Sequence, residues 1–583
     1  MDKFYKKEEL IMHNLFKIIS YKKKIFLLFL LIGMIITSIL EVIGIGSVIP
    51  IVYSISDESF FEKYEFFKFV KNNFHLNSKE DTLFFFLKFF CGVYIIKNIY
   101  LILFHYLEGR FIYSFVRDIS SKLYKGYIMR PYKTIIQENS SDIISKLTNE
   151  LNVVQNYLMS LLNIYTEIII FIFILIFVLI FYSSKILLLL IIFGLVISLF
   201  FLIFYRKIKS LGKNRKNYEI LRAAKIQESV GGIKDIKIRN KENEFSLNYF
   251  SLANQISIFF YKYYAIQKIP RLYLETAIII CLSLLTFFLY NKAVPINEIF
   301  TILAINFAIF LRLLPSVNKI VNAVNTNNWS KQSANEIINL SKKKISKKKI
   351  FKGEFKKELR FKKLSYGYDN KKNLIIDNLD LTIRKGDKIA LIGNSGIGKS
   401  TFVDILCGLL SPVKGEIEID GKSLLNKSTL NLISYAPQTS FLFDNTLYYN
   451  VTLDHEINNK KLKKFNEILS ICELTDFHLS NKKKVKDYTL GDKGVKISGG
   501  QKQRVGLARS LYGINEILIL DEPTSSLEQN LEKKIILKIL KYFANKTIIA
   551  ITHKESVAKK FNKVLIFKNK KLINYNKNDI KKI

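Results

Sequence analysis

Gly393-Asn394-Ser395-Gly396-Ile397-Gly398-Lys399-Ser400 decides how the last third of this chain folds. The octet follows a short apolar strand, Lys388–Gly393, and opens a predicted helix, Lys399–Leu409. Its glycines let successive backbone N–H groups converge on phosphate oxygens, and the helix N-terminus adds partial positive charge. In such a loop Lys399 reaches the β- and γ-phosphates and the Ser400 hydroxyl ligates Mg²⁺. Asn394, Ser395 and Thr401 belong to the same cradle.

Four further signals stand downstream in a fixed order: Gln438, Ile497-Ser498-Gly499-Gly500-Gln501, Ile517–Glu522 and His553. Asp521 ends a strand of four aliphatics, where a carboxylate holds Mg²⁺ directly or through water. Glu522 comes next and accepts a proton from an attacking water. His553 follows the apolar strand Thr547–Thr552 and contacts the γ-phosphate; a lone histidine there would be structural, but this order and setting favour the functional role. Ser498-Gly499-Gly500 opens a second helix, hence a second anion-binding N-terminus. One domain with two anion sites and one phosphate loop implies a head-to-tail dimer, each ATP held between the loop of one copy and the Ser498 helix of the other.

The first 320 residues read differently. The chain has 583 residues, of which 49% are apolar and 46 are Phe, and long uncharged runs concentrate here. About 20 apolar residues span a bilayer core. Six spans are predicted, near 25–55, 82–106, 160–182, 186–205, 268–290 and 297–325. The first is too long for the apolar core of a cleaved signal and is expected to remain. Spans 2–3 and 4–5 are joined by long basic connectors, Tyr106–Arg130 and Arg206–Lys241 among them. Spans 3–4 and 5–6 are joined by a few residues. Positive charge favours the cytoplasmic side, which puts both termini and the C-terminal domain there. Between spans 1 and 2, Phe60, Tyr64, Phe67, Val70 and Phe74 share one helical face, an external helix lying at the interface or a packed cap.

The net charge of +40 does not point to nucleic acid, because the lysines are dispersed and flank apolar runs, as an anionic inner leaflet would favour. Cys91, Cys281, Cys407 and Cys472 form no metal or redox spacing and are expected to be small buried thiols. The division expected is a transmembrane domain over 1–330, a basic linker over 331–352 and a nucleotide-binding domain over 353–583.

The motif set resembles the nucleotide-binding domain of an ABC transporter, and residues 1–330 resemble the six-helix membrane domain of an ABC exporter half-transporter. The resemblance covers essentially the whole chain. It implies an all-α transmembrane domain of the type I exporter kind followed by an α/β P-loop domain, ATP and Mg²⁺ as cofactors, ATP hydrolysis coupled to transport, a homodimer, and a bacterial inner membrane. It also assigns Tyr368 to adenine stacking, Gln438 to the Q-loop and to Mg²⁺, and Ile497–Gln501 to the signature sequence, with Ile where Leu is usual. Gly491-Asp492 stands where exporters carry a Gly-Glu loop. After Glu522-Pro523-Thr524 the family pattern is Ser-Ala-Leu-Asp. Here it is Ser525-Ser526-Leu527-Glu528, a longer carboxylate that puts communication between paired ATP sites in question.

Cargo must be read from the membrane half, where charge is costly and usually functional. Lys97, Arg271, Arg312 and Lys319 fall in or near spans 2, 5 and 6. At 1.5 Å per residue they lie roughly 22 to 33 Å from the outer ends of their helices, so all four gather toward the inner side. A cation ring there suits a phosphate or pyrophosphate. Two plainer readings compete: Arg271 pairs with Glu275 four residues on, or the cations snorkel to the inner surface. Ile269–Glu275, Leu311–Ser316 and the helix after span 1 resemble lipid-linked oligosaccharide flippases, which implies a polyprenyl-diphosphate-linked glycan and membrane lipids as partners. The other readings are an exporter of another lipid, a drug or a peptide, and a nontransporting ATP-gated channel or regulator.

Overall fold

A computed structural model describes residues 20–56, 65–76, 78–181, 184–292, 295–342, 349–351, 353–368, 373–394, 396–424, 427–429, 431–480, 489–524 and 527–575. The chain divides into two units. One comprises 1–129 and 137–345, the other 130–136 and 346–583.

The first unit is all helix. Its elements are α1 (Tyr21–Gly46), α2 (Val48–Ser56), α3 (Glu65–Asn73) and α4 (Lys79–Ile128). After α5 (Tyr132–Ile135), which belongs to the second unit, come α6 (Ser140–Leu147), α7 (Asn149–Phe181) and α8 (Ser184–Gly231). The unit continues with α9 (Ile233–Ile238), α10 (Glu242–Asn291) and α11 (Ile296–Lys342). The expected spans run on as helix into the flanking connectors, and α4 and α10 are each 50 residues long; the connector after span 4 is interrupted at Gly232 and at 239–241. Leaving the apolar core does not by itself end a helix, so the backbone ladder continues from span into connector. Pro270 in α10 and Pro315 in α11 lie inside helices, where each removes one ladder bond, a change that membrane helices tolerate. Likewise 331–342, read from the sequence as linker, continues α11; its interleaved apolar residues, Ala334, Ile337 and Ile338, are buried.

Among the described residues, four helical stretches are long and apolar enough to cross a membrane: Tyr21–Ile55, Lys79–Ile128, Ser140–Phe177 and Glu242–Asn291. The expected span near 186–205 lies on α8, and that near 297–325 on α11. Side chains 178–202 lie outside the described residues. Helices approach closely where a side chain is missing. A Cβ on Gly212 would sit 2.6 Å from the Trp329 carbonyl oxygen, so α8 meets α11 backbone to backbone. The predicted external helix is described from Glu65 only. Phe67 stands edge-on to Phe86 and Phe74 tilts against Phe85, so this face packs on α4, while Phe69 is exposed. Cys91 on α4 is exposed rather than buried, because an apolar membrane helix turns much of its surface to lipid rather than to a core.

The second unit carries β1 (Lys349–Ile350), β2 (Glu358–Tyr366), β3 (Ile376–Arg384), β4 (Lys388–Ile392), β5 (Lys414–Ile419) and β6 (Lys422–Ser423). It continues with β7 (Lys427–Ser428), β8 (Ile433–Ala436), β9 (Ile517–Asp521), β10 (Thr547–Ile551), β11 (Lys563–Lys568) and β12 (Lys571–Tyr575). The main sheet has the order β12-β11-β4-β10-β9-β8, parallel except for β12. Its strands are continuous apolar runs, as burial on both faces requires; every residue of β4 and β10 is buried. The antiparallel sheet β3-β2-β5-β6 packs beside it. The helices used below are α12 (Lys399–Leu406), α13 (Leu447–Thr452), α14 (Asn459–Ile471), α15 (Thr475–Ser480), α16 (Gly499–Tyr512), α17 (Gln529–Tyr542) and α18 (Glu555–Ala558).

Candidate nucleotide site

Strand register explains why motifs far apart in sequence meet. Ile551 pairs with both Leu391 and Asp521, and Ala436 pairs with Leu520. The C-terminal ends of β4, β8, β9 and β10 therefore line up, and ligands bind at such an edge of a parallel sheet. Each strand then delivers its own loop: the glycine-rich octet after β4, Gln438 after β8, Glu522 after β9 and His553 after β10.

The octet turns into α12 through Gly398, which has φ +115°. A Cβ there would lie 2.6 Å from Ile375 Cγ2, so geometry and space both require glycine. Gly396 has φ +79°. The buried Lys399 side chain folds back, donating from Nζ to the carbonyls of Gly393 at 2.5 Å and Asn394 at 2.8 Å. Burial lowers its pKa, opposed by the Glu522 and Asp521 carboxylates. Ser400 in the first turn of α12 is exposed, while Thr401 is buried in the helix packing. The side chain of Ser395 lies outside the described residues.

The carboxylates stand opposite. Tyr435 Oη donates to Asp521 Oδ2 at 2.9 Å. Burial raises the Asp521 pKa, and the Tyr435 hydrogen bond partly offsets this. Glu522 lies between Gln438, whose Nε2 donates to its Oε2 at 3.2 Å, and His553, whose Nε2 is 2.9 Å from its Oε1. His553 Nε2 is also 3.5 Å from Lys399 Nζ. Glu522 adopts φ +46°, a left-handed conformation unusual for a side-chain-bearing residue. The four sheet-edge loops thus bring Lys399, Gln438, Glu522 and His553 into one contiguous group.

The remaining expected residues are placed elsewhere on the unit. Tyr368 is exposed, its ring edge-on to Tyr366. Ser498 caps α16 in a reciprocal capping box: its Oγ accepts from Gln501 N–H, and Gln501 Oε1 accepts from Ser498 N–H at 2.9 Å. Ser498 and Gly499 are exposed. Among the described residues, no hydrogen bond or ion pair joins Ser498–Gln501 to the loop after β4. Gly491 has φ +77° ahead of the 3₁₀ turn Asp492–Gly494.

The donor set fits a nucleoside triphosphate with Mg²⁺. Among the described residues, no three His, Cys, Asp or Glu side chains converge. Mg²⁺ is held through one or two carboxylates and completes its shell with water and phosphate oxygens; Asp521 is the carboxylate here, and the Ser400 hydroxyl and Gln438 amide oxygen are further donors. Two groups escaped the sequence reading. Tyr435 carries no local signal and matters only because β8 pairs with β9. Asp404 lies on α12, where burial and the Asp521 carboxylate push its pKa up to about 6.

Residues 376–525 match the family described as ABC transporter, and residues 24–312 match the ABC transporter transmembrane region. The chain belongs to the ABC transporters. It carries a helical membrane region followed by the ATPase domain. The transporter is 25% identical over 484 residues to the heterocyst differentiation ATP-binding protein HepA of Nostoc sp., covering 81% of this chain and 78% of that one. It is 35% identical over 239 residues to the lactococcin-G-processing and transport ATP-binding protein LagD of Lactococcus lactis, covering 40% of this chain and 33% of LagD. It is 30% identical over 220 residues to an ATP-dependent lipid A-core flippase of Ralstonia nicotianae, covering 37% of each. The chain thus spans only about a third of the latter two relatives. A solved structure of a bacterial Atm1-family ABC exporter with ATP bound has the same fold, with TM-score 0.74 at 18% identity over 95% of this chain and 96% of that one.

In the transporter's membrane region, three of the four expected cations are paired. Lys97 Nζ lies 3.4 Å from Glu41 Oε2, both buried, and 3.9 Å from the Tyr94 ring centroid. Lys319 reaches Glu167 at 2.9 Å, and Arg271 reaches Glu275 at 2.7 Å. The Arg271 and Lys319 side chains remain well exposed. The Arg312 side chain lies outside the described residues. The i, i+4 pairing considered for Arg271 is therefore present.

Proposed function

We propose that this transporter is an ATP-driven flippase that works as a homodimer in the bacterial inner membrane. It moves a polyprenyl-diphosphate-linked oligosaccharide from the cytoplasmic to the outer leaflet, with both termini and the ATPase domain in the cytoplasm. The observation that carries the ATPase half is the contact of Glu522 with Gln438 and His553 beside Lys399.

In this reading Glu522 takes the proton of the attacking water, and Gln438 and His553 hold that carboxylate in line. Lys399 exchanges its loop carbonyls for the β- and γ-phosphates, and Tyr368 stacks on adenine. Ser400, Asp521 and Gln438 would hold Mg²⁺, which when bound would neutralise phosphate charge. The exposed α16 N-terminus at Ser498–Gln501 serves the nucleotide of the second copy, since among the described residues it makes no hydrogen bond to the phosphate loop of its own copy.

The cargo reading rests on Arg271 and Lys319, exposed and near the inner side of their helices, together with Lys97 and Arg312. Glu41, Glu275 and Glu167 pair with Lys97, Arg271 and Lys319, and a diphosphate competes with those carboxylates as a stronger, bidentate acceptor. Transport by Arg271→Ala with Arg312→Ala in proteoliposomes tests this. Glycolipid transfer is expected to be lost while basal ATPase persists; transfer at the wild-type rate would remove the anion site.

A further inference from the structure

The helix α17 buries one stripe of four side chains, Glu532, Ile535, Ile536 and Ile539. The spacing is that of a core-facing helical stripe, yet its first member is a carboxylate only 5% exposed. A buried charge must be paired and hydrogen-bonded to be tolerated, and both oxygens of Glu532 are. Oε1 accepts from Thr524 Oγ1 at 2.8 Å, and Oε2 accepts from Lys554 Nζ at 2.6 Å.

The two donors come from the segments that carry the candidate hydrolytic pair. Thr524 lies two residues after Glu522, and Lys554 directly follows His553. Glu522, Thr524, Glu532, His553 and Lys554 line one cavity. The Lys554 N–H further donates to Thr552 Oγ1 at 3.0 Å, and the Glu522 N–H donates to the Ile551 carbonyl at 3.2 Å. Glu522 is held at φ +46°. Such a conformation persists only where its surroundings over-determine it.

We infer that Glu532 is a positioning residue for ATP hydrolysis: its carboxylate ties the Glu522 loop to the His553 loop and fixes the separation between those two side chains. Among the described residues, it makes no hydrogen bond or ion pair to the nucleotide loop or to Glu522 itself. This rests on the assignment of Glu522 and His553 to hydrolysis, and the test separates the two claims.

Full-length protein in liposomes is assayed for ATP turnover, beginning with wild type and Glu522→Gln. Equal turnover in those two would sink the ATPase assignment, whatever Glu532 does. With that assignment standing, Glu532→Ala is expected to lower kcat roughly ten- to hundredfold, because small misplacements of reacting groups cost that much. The KM for ATP is expected to stay within about twofold, since nucleotide binding groups are untouched. Glu532→Gln keeps the shape and an acceptor for Thr524 and should recover part of the loss. A kcat per folded molecule within about twofold of wild type would show a purely structural staple. A KM that rises in step with the fall in kcat would overturn the inference equally. Should Glu532→Ala not fold, Thr524→Val and Lys554→Met each cut one arm with the carboxylate in place and are judged by the same split.

Discussion

At the residue scale, chemistry and backbone strain coincide at Glu522. Its carboxylate contacts Gln438 and His553 while its own backbone sits in the left-handed region. Glu522→Gln is expected to bind ATP normally and lose at least about a hundredfold in turnover, the usual scale of a lost general base. Gly398→Ala should fail earlier, at nucleotide binding, because the new methyl meets Ile375 and the φ of +115° is unfavourable for alanine; unaltered ATP affinity would contradict that reading. Asp404 offers a pH-dependent check on the same helix. Its pKa is raised to about 6 in the fold, chiefly by burial. The folded state therefore binds more protons than the unfolded one between the unfolded carboxylate pKa and about 6, and stability falls as pH rises through that window. Asp404→Asn should raise stability at pH 7.5 by on the order of 1–3 kcal/mol, seen as a higher Tm, with the gain shrinking as pH drops below 6. A gain independent of pH would show that the charge is not its source.

At the element scale, two junctions are open to single changes. Gly212→Ala pushes α8 off α11 against the Trp329 carbonyl, with an expected cost of about 1–3 kcal/mol. Trp329, the single tryptophan of the chain, stacks on Tyr263 at 4.2 Å, so its fluorescence should report the shift; an unchanged spectrum and Tm would mean the helices have room. Glu528 is the N-cap of α17 but makes no side-chain capping bond. Aspartate caps well, so Glu528→Asp should raise stability by about 0.5–1 kcal/mol. The ATPase motifs were legible in the sequence because each is a local signal, strand then loop, and parallel register brings the signals together. Helix continuity through α4, α10 and α11 was not, since hydropathy marks where a span leaves lipid, not where a helix stops. Glu532 was legible in principle, as an acid on an isoleucine stripe. Its partners were not, because Thr524 and Lys554 meet it only through tertiary packing. The pairings Glu41–Lys97 and Glu167–Lys319 were hidden for the same reason, whereas Arg271–Glu275 lies within one helix and could be read from spacing.

At the scale of the whole molecule, an ATPase domain of common design is joined to a membrane region in which Lys97, Arg271 and Lys319 are paired with carboxylates. The relatives matched above bear names from heterocyst differentiation to lactococcin processing and lipid A-core flipping, so the ATPase domain says little about the load. The most direct measurement places the purified full-length transporter in liposomes with a fluorescent polyprenyl-diphosphate glycan and follows its movement between leaflets, with and without ATP and Mg²⁺, beside Glu522→Gln. The predicted result is transfer that requires ATP, disappears in Glu522→Gln and is not supported by a polyprenol lacking the diphosphate. Active ATP hydrolysis with no transfer of the glycolipid, or transfer indifferent to the diphosphate, would contradict the proposed function.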